Sequence, residues 1–311
     1  MTVDISVRRK FVPHAEYPAE AIITGDMTYG AFHNERFEEY QKSSEGYIAY
    51  NRNRIGRGII VRHSPDFSVY TFTLGLPASS EDIEELFTCA YGVMNLLSAV
   101  TVNGRPVSKL NLEEVCETLQ EYNLKLLHEM MGKVLNGESD FVSIGCARNR
   151  LSAGTEEAEQ MWAGVNTDVY RDWMHRLQSS DADIAETTLL EHKVTKSVTL
   201  LYTVKKDRPF LLPRKPALPV QYYDTETGRP SCQVDRYMIC FTGSGEKDVI
   251  ASADYEAFEE MIPDSKKRYF DAEKWYISGF CADEIRELAA KAVEFKYGKD
   301  YPDGTSDSET V

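Results

Sequence analysis

Val69–Leu97 reads VYTFTLGLPASSEDIEELFTCAYGVMNLL, and its two parts carry different structural signals. Val69–Leu74 is rich in β-branched and aromatic residues, the composition of a strand. Pro77 and Ser79 close that run. Ser79 stands three residues before Asp82, a capping-box spacing that leaves its hydroxyl free to take an orphan helix amide. Ile83, Leu86, Phe87, Ala90, Val93, Met94 and Leu97 then recur with the 3.6-residue period of a helix buried along one face.

Working outward, Ile5 and Val7 alternate with polar neighbours and predict a first strand. Residues 14–44 read as loop with a short helix around Glu35–Gln41. Tyr47–Tyr50 and Gly58–Arg62 are further β-like runs. Downstream, Asn103-Gly104 sits between short β-like runs in Val100–Val107, as a type I′ hairpin turn requires. Asn111 is placed to cap a second helix, with the stripe Leu112, Val115, Leu119, Tyr122, Leu126, Met130 and Val134. Phe141–Cys146 reads as a strand, and residues 156–177 as a third helix. Hairpins are local and no regular βαβ alternation appears, so the fold class expected is α+β: mostly antiparallel sheets with helices packed on them.

Charge changes near residue 192. Residues 153–191 hold nine acids and two arginines, whereas residues 193–236 hold nine basic residues and four acids. A strand at Val198–Val204 leads into the proline-rich run Pro209–Pro219, expected as an extended connector or edge segment. The division expected is therefore 1–192, 193–297 and an acidic, frayed tail at 298–311. Within the second part, strands at Val234–Thr242 and Asp248–Ala251 flank a glycine turn. A helix at Tyr255–Met261, a strand at Tyr269–Ile277 and a closing helix through Ile285 and Leu288 follow.

With 311 residues, 42% apolar and 27% charged, the chain has the composition of an ordinary folded protein rather than a disordered or repetitive one. Its 35 basic and 50 acidic residues leave a net charge of −15, which disfavours nucleic acid and anionic lipid and favours basic partners. The start MTVDISVRRKFVP lacks the layout of a signal peptide. No stretch reaches the ~18 apolar residues of a membrane helix. A cytoplasmic location is expected. The cysteines at 89, 116, 146, 232, 240 and 281 form no C-x-x-C pair and read as buried reduced thiols, with no metal and no cofactor expected.

Asn51–Leu76 (NRNRIGRGIIVRHSPDFSVYTFTLGL), the helix start SSEDIEEL at Ser79–Leu86, and YFDAEKWYISGFCADEIRELAAKA at Tyr269–Ala292 together resemble a bacterial family designated domain of unknown function 4299. The resemblance spans most of the chain in the same order. It implies a soluble bacterial cytosolic protein and lends no catalytic or binding residue.

Candidate chemistry is sparse. Gly243-Ser-Gly245-Glu-Lys247 is a fragment of a phosphate loop and also fits Ser-x-x-Lys, yet it falls in a turn, so a hairpin is the favoured reading. His128 and His175 are expected on solvated helix surface. Asp181, Asp183 and Glu186 are expected in a solvated acidic loop. Pro213, Pro216 and Pro219 have the spacing of an aromatic-groove ligand, with a connector favoured.

The least ordinary feature is residues 46–65, with Arg52, Arg54, Arg57 and Arg62, no acid, and Tyr47 and Tyr50 alongside. Arginine forks suit phosphates and carboxylates. The stretch reads either as an anion or acidic-partner site or, favoured, as a positively charged edge hairpin or one paired with the protein's own acids. Eighteen tyrosines and thirteen phenylalanines give some weight to an interface. Two functions follow. The leading one is a non-enzymatic protein-binding module, an inhibitor or immunity-type partner of a basic protein. The alternative is an enzyme or ligand-binding protein that holds an anionic small molecule on Arg52, Arg54 and Arg57.

Overall fold

The computed structural model describes residues 1–10, 15–33, 36–164, 166–224, 227–243, 248–291, 296–297 and 308–310. The chain divides into two compact units, Met1–Ser180 and Asp181–Val311.

The first unit is built on an eight-stranded sheet. Its strands are β1 (Thr2–Arg8), β2 (Met27–His33), β3 (Arg36–Glu39), β4 (Tyr47–Asn51), β5 (Ile59–His63), β6 (Val69–Gly75), β7 (Ala99–Val102) and β8 (Arg105–Val107). The order is β3-β2-β4-β5-β6-β1-β7-β8, with every neighbouring pair antiparallel. Ile5, Val61, Phe72 and Leu74 on one face of the sheet pack with Ile83, Leu86, Phe87 and Val93 of α2 (Ser80–Val93). Each such buried side chain is worth about 1.5–3 kcal/mol. The expected capping box is present: Ser79 Oγ accepts the Asp82 amide at 3.0 Å, and Asp82 Oδ2 accepts the Ser79 amide at 3.1 Å. The hairpin turn is also as expected, with Asn103 at φ 49° and Gly104 at φ 76°.

Other elements of this unit depart from the sequence reading. A helix was expected around Glu35–Gln41; instead Arg36–Glu39 is the edge strand β3, paired with β2 and holding Phe37 edge-on to Phe32 at 5.3 Å. That pairing is local, since β2 ends only three residues before β3 begins, and both strands fall in the stretch read from sequence as loop with a short helix. After α1 (Ala19–Ile22), the long helix α3 (Leu112–Leu135) is entered through a 3-10 turn capped by Ser108, and the Asn111 side chain makes no cap bond. Leu112 and Val134 are buried and Val115, Leu119 and Leu126 pack half-buried on the core as expected, while Asn123, Leu127 and Met131 are also buried and Tyr122 is exposed. Asn123 is buried because it bonds both backbone groups of Ala78, each at 2.7 Å. A hairpin of β9 (Val142–Ile144) and β10 (Leu151–Ala153) follows. The single helix expected over 156–177 is two, α4 (Thr155–Trp162) and α5 (Asp168–Gln178). Gly164 and Asn166 are poor helix formers, and Asn166 Oδ1 accepts the Asp168 amide at 3.1 Å to start the second.

The second unit begins before the expected boundary at 192. Strands β11 (Asp183–Ile184) and β12 (Glu186–His192) already belong to it, because they pair with β14 (Phe210–Pro213) and β13 (Val198–Lys205). With β15 (Arg236–Thr242), β16 (Val249–Asp254), β19 (Lys296–Tyr297) and β20 (Ser308–Thr310), the larger sheet runs β19-β16-β15-β13-β12-β20. The smaller runs β11-β14-β18-β17, with β17 (Lys267–Asp271) and β18 (Lys274–Ile277) forming two strands where one was expected. The start of the proline run is therefore an inner strand rather than a connector or edge: β14 lies between β11 and β18, with prolines only at its margins. Helices α6 (Tyr255–Met261) and α7 (Ala282–Lys291) complete the unit. Phe241 packs edge-on to Phe258 and Phe280 in its core.

None of the six cysteines is in a disulfide; Cys281 is exposed, against the expectation of burial. Ser244–Lys247 lie outside the described residues, as does the expected frayed tail apart from Ser308–Thr310. Among the described residues no helix is long and apolar enough to cross a membrane.

Candidate functional site

The arginines at 52, 54 and 57 ride on the loop that leaves β4 and returns into β5. Asn51 Oδ1 bends the loop by accepting the amides of Asn53 (2.9 Å) and Arg54 (3.2 Å). Helix α5 then holds it. Ile55 donates its amide to His175 Nδ1 at 3.0 Å, Gln178 Nε2 donates to Gly56 O at 2.8 Å, and Arg171 donates to Arg54 O. His175, expected on a solvated surface, is thus a half-buried acceptor, and burial followed by the Arg171 charge holds its pKa below the usual value. From the other side, Asp82 Oδ2 accepts the Arg57 amide at 3.3 Å. Gly56 has to be glycine here, since a Cβ would fall on the Asp82 carboxylate.

The suggested arginines do not converge. Arg52 is half-exposed and bonds to Glu39 Oε2 (3.3 Å) and the Tyr40 hydroxyl. Arg54 pairs with Glu81 and with Asp172 at 3.2 Å. Arg57 lies flat against Gly75, where a Cβ would meet its guanidinium, and faces the Tyr170 hydroxyl. Arg62 is exposed on β5, beyond the loop. Tyr50 is buried, with its ring against Phe37 and its hydroxyl donating to Glu39 Oε1 at 2.9 Å; burial, then this bond, raises its pKa.

Beneath the loop lies a buried charge knot that the sequence reading did not single out. The Arg171 side chain is wholly buried. It donates to Ser79 Oγ at 2.8 Å and stands 3.3 Å from Glu85, 3.6 Å from Asp82 and 3.8 Å from Glu81. Burial pushes the Glu85 carboxyl up to about 7, with Arg171 pulling the other way. Glu85 is packed into this knot through Asn51 and Arg171 rather than set beside Arg57 in a cleft. Chemically, the arrangement holds the loop and both helices in place.

A different surface carries free charge. On the outer side of α2 and α3, Glu84, Glu113, Glu114, Glu117 and Glu121 are exposed, and none makes an ion pair among the described residues. Gln120 Nε2 bonds to Glu84 Oε1 at 3.4 Å, joining the two helices across this face. Tyr91 is exposed within it, Tyr122 lies on the flank of α3 with its hydroxyl donating to Met1 Sδ at 3.1 Å, and Leu96, Leu97 and Leu110 stand out at the margin, the last 92% exposed. Lys109 ties the Leu96 and Leu110 turns together by donating to Asn95 O. The signal was available in the sequence: Glu113, Glu117 and Glu121 recur every four residues and so share one helix face. Acids in the first turn of α3 also suit the helix dipole, which accounts for Glu113 and Glu114 but not for Glu117 and Glu121.

A family model, Domain of unknown function (DUF4299), matches residues 3–288. No curated protein matches the chain, and no solved structure does.

Proposed function

The chain belongs to the family Domain of unknown function (DUF4299), and on that premise we propose that it is a non-enzymatic binding module that takes a basic protein on the α2–α3 face. The observation that carries this reading is the set of five exposed carboxylates, without an ion pair among the described residues, beside exposed Tyr91 and with Tyr122 on the flank. Long-range attraction from such a face speeds encounter with a cationic surface, and aromatic side chains supply contact area at small entropic cost. The exposed leucines beside it give the desolvated contacts that charge alone does not. A bacterial, cytoplasmic inhibitor or immunity-type role is consistent with the net charge of −15. The alternative, an anionic small molecule held by Arg52, Arg54 and Arg57, has less support, since Arg54 is paired with acids and Arg57 is packed on Gly75.

The test is stoichiometric capture of one basic protein by the intact chain, with mapping of the contact by amide hydrogen exchange. Protection over 84–91 and 110–122, lost in Glu113→Lys/Glu117→Lys/Glu121→Lys and kept in Arg52→Glu, is the result expected. Capture unaffected by the triple reversal overturns the reading.

A further inference from the structure

The peptide unit between Arg54 and Ile55 is gripped by α5 at both ends. Arg171 donates to its carbonyl, and its N–H donates to His175 Nδ1 at 3.0 Å. A backbone amide only donates, so Nδ1 is the bare nitrogen of a neutral ring whose proton sits on Nε2. Ser179 Oγ lies 3.3 Å from the same Nδ1, one turn further along the helix. A second proton on the ring has one place to go, which is Nδ1. There it faces an N–H on one side and a hydroxyl oxygen on the other, and of the two the oxygen alone accepts. Burial of the half-buried ring opposes that proton most, followed by the charge of Arg171 on α5; Arg54 on the loop also opposes it, and Asp172 favours it. Glu81 and Glu85 of α2 stand behind these groups, paired with Arg54 and Arg171.

We propose that His175 is an acid-operated latch on the arginine loop: the neutral ring holds the Ile55 amide, and the protonated ring donates to Ser179 and lets that amide go. Protonation removes the acceptor and sets a positive charge beside Arg54, so both effects act in the direction of release. The far end of the loop stays fixed, because Asp82 Oδ2 accepts the Arg57 amide and Gln178 Nε2 donates to Gly56 O. The sign of the pH dependence follows from the depressed pKa of the folded ring. Between that value and the free value of 6.5 the unfolded chain binds more protons, so the latch weakens as pH falls through this interval. The inference is independent of the α2–α3 face, because it rests on different residues.

The test is amide hydrogen exchange of the full chain, followed by NMR between about pH 8 and pH 5 and corrected for the intrinsic rate at each pH, with the His175 ring titrated in the same samples. Protection of Ile55 is expected to fall about tenfold, the scale of one hydrogen bond, with the midpoint of the His175 ring, while Arg57 keeps its protection. His175→Asn puts a side-chain oxygen that does not titrate in the place of Nδ1 and keeps Ile55 protected across the range. His175→Ala leaves Ile55 poorly protected throughout. Glu85, which titrates at about 7 on the other side of Arg171, is intact in both variants and so cannot account for a difference between them and wild type. A ring that stays neutral over the range, Ile55 protection that is flat across the ring titration or falls equally in His175→Asn, or wild-type protection in His175→Ala overturns the proposal.

Discussion

Arg171 Nη1 and Asp82 Oδ1 stand 3.6 Å apart, and both side chains are shut away from solvent. The pair joins the first turn of α2 to the first turn of α5. Gly56 passes so close to Asp82 that only glycine fits, so the arginine loop is clamped between the two helices. Charges removed from water need compensation, and Ser79, Glu81 and Glu85 join Asp82 around the guanidinium, although its Nε has no hydrogen-bond partner. The loop is a product of the fold's internal electrostatics, whereas the outward-facing carboxylates of α2 and α3 form a cluster of charge without an ion pair among the described residues.

Arg171→Met strands Asp82 and Glu85 in the interior without their cation. The expected loss is about 3–5 kcal/mol, the cost of breaking a buried pair from one side, read from the urea midpoint. Arg171→Met combined with Glu85→Gln recovers part of it, because one of the stranded carboxylates becomes neutral.

Asn123→Leu fills the same space but removes both bonds to Ala78, leaving a buried amide and carbonyl unpaired. Destabilisation of about 2 kcal/mol or more is expected, against under about 0.5 kcal/mol for Lys125→Ala on the exposed side of the same helix. Thermal unfolding of the two variants gives the comparison.

Glu85 confers a pH dependence of definite sign. Its folded pKa of about 7 lies above the ordinary carboxyl value, so between roughly pH 4.5 and 7 the folded state binds more protons than the unfolded one. Stability from this group therefore falls as pH rises through that window. Glu85→Gln removes the slope and gains on the order of 2 kcal/mol relative to wild type at pH 8 compared with pH 5. Urea titrations at the two pH values measure it; an unchanged slope in the variant contradicts the assignment.

Much of the fold was legible because its signals are local. The Ser79–Asp82 capping box, the Asn103-Gly104 turn and the apolar face of α2 need only near neighbours in sequence to declare themselves. Most of what escaped depends on distant partners. Phe210–Pro213 is an inner strand only because β18 covers one side, whereas Arg36–Glu39 was missed although its partner strand Met27–His33 lies next to it in the sequence. Arg171 looks like any arginine on an amphipathic helix, and its burial follows from three carboxylates lying far away in the chain. The arginine-rich stretch was conspicuous in composition, yet its partners Glu39, Glu81 and Asp172 come from three separate elements. The acidic face of α3 was visible as a four-residue spacing, although nothing in the sequence placed Glu84 beside it.

Arg54→Ala removes a pair that is half-exposed on both sides of Glu81 and Asp172. Such surface pairs contribute about 0–1 kcal/mol, so a small stability change and unaltered partner capture are expected in a chemical-denaturation series run beside the capture assay.

The central claim is that the α2–α3 face recognises a basic protein, and the salt dependence of association with the captured partner tests it most directly. Stopped-flow rates for wild type should fall steeply between low and physiological ionic strength, and Glu113→Lys/Glu117→Lys/Glu121→Lys should be slower and lose that dependence. A rate independent of salt, or a triple variant that associates as fast as wild type, contradicts the account.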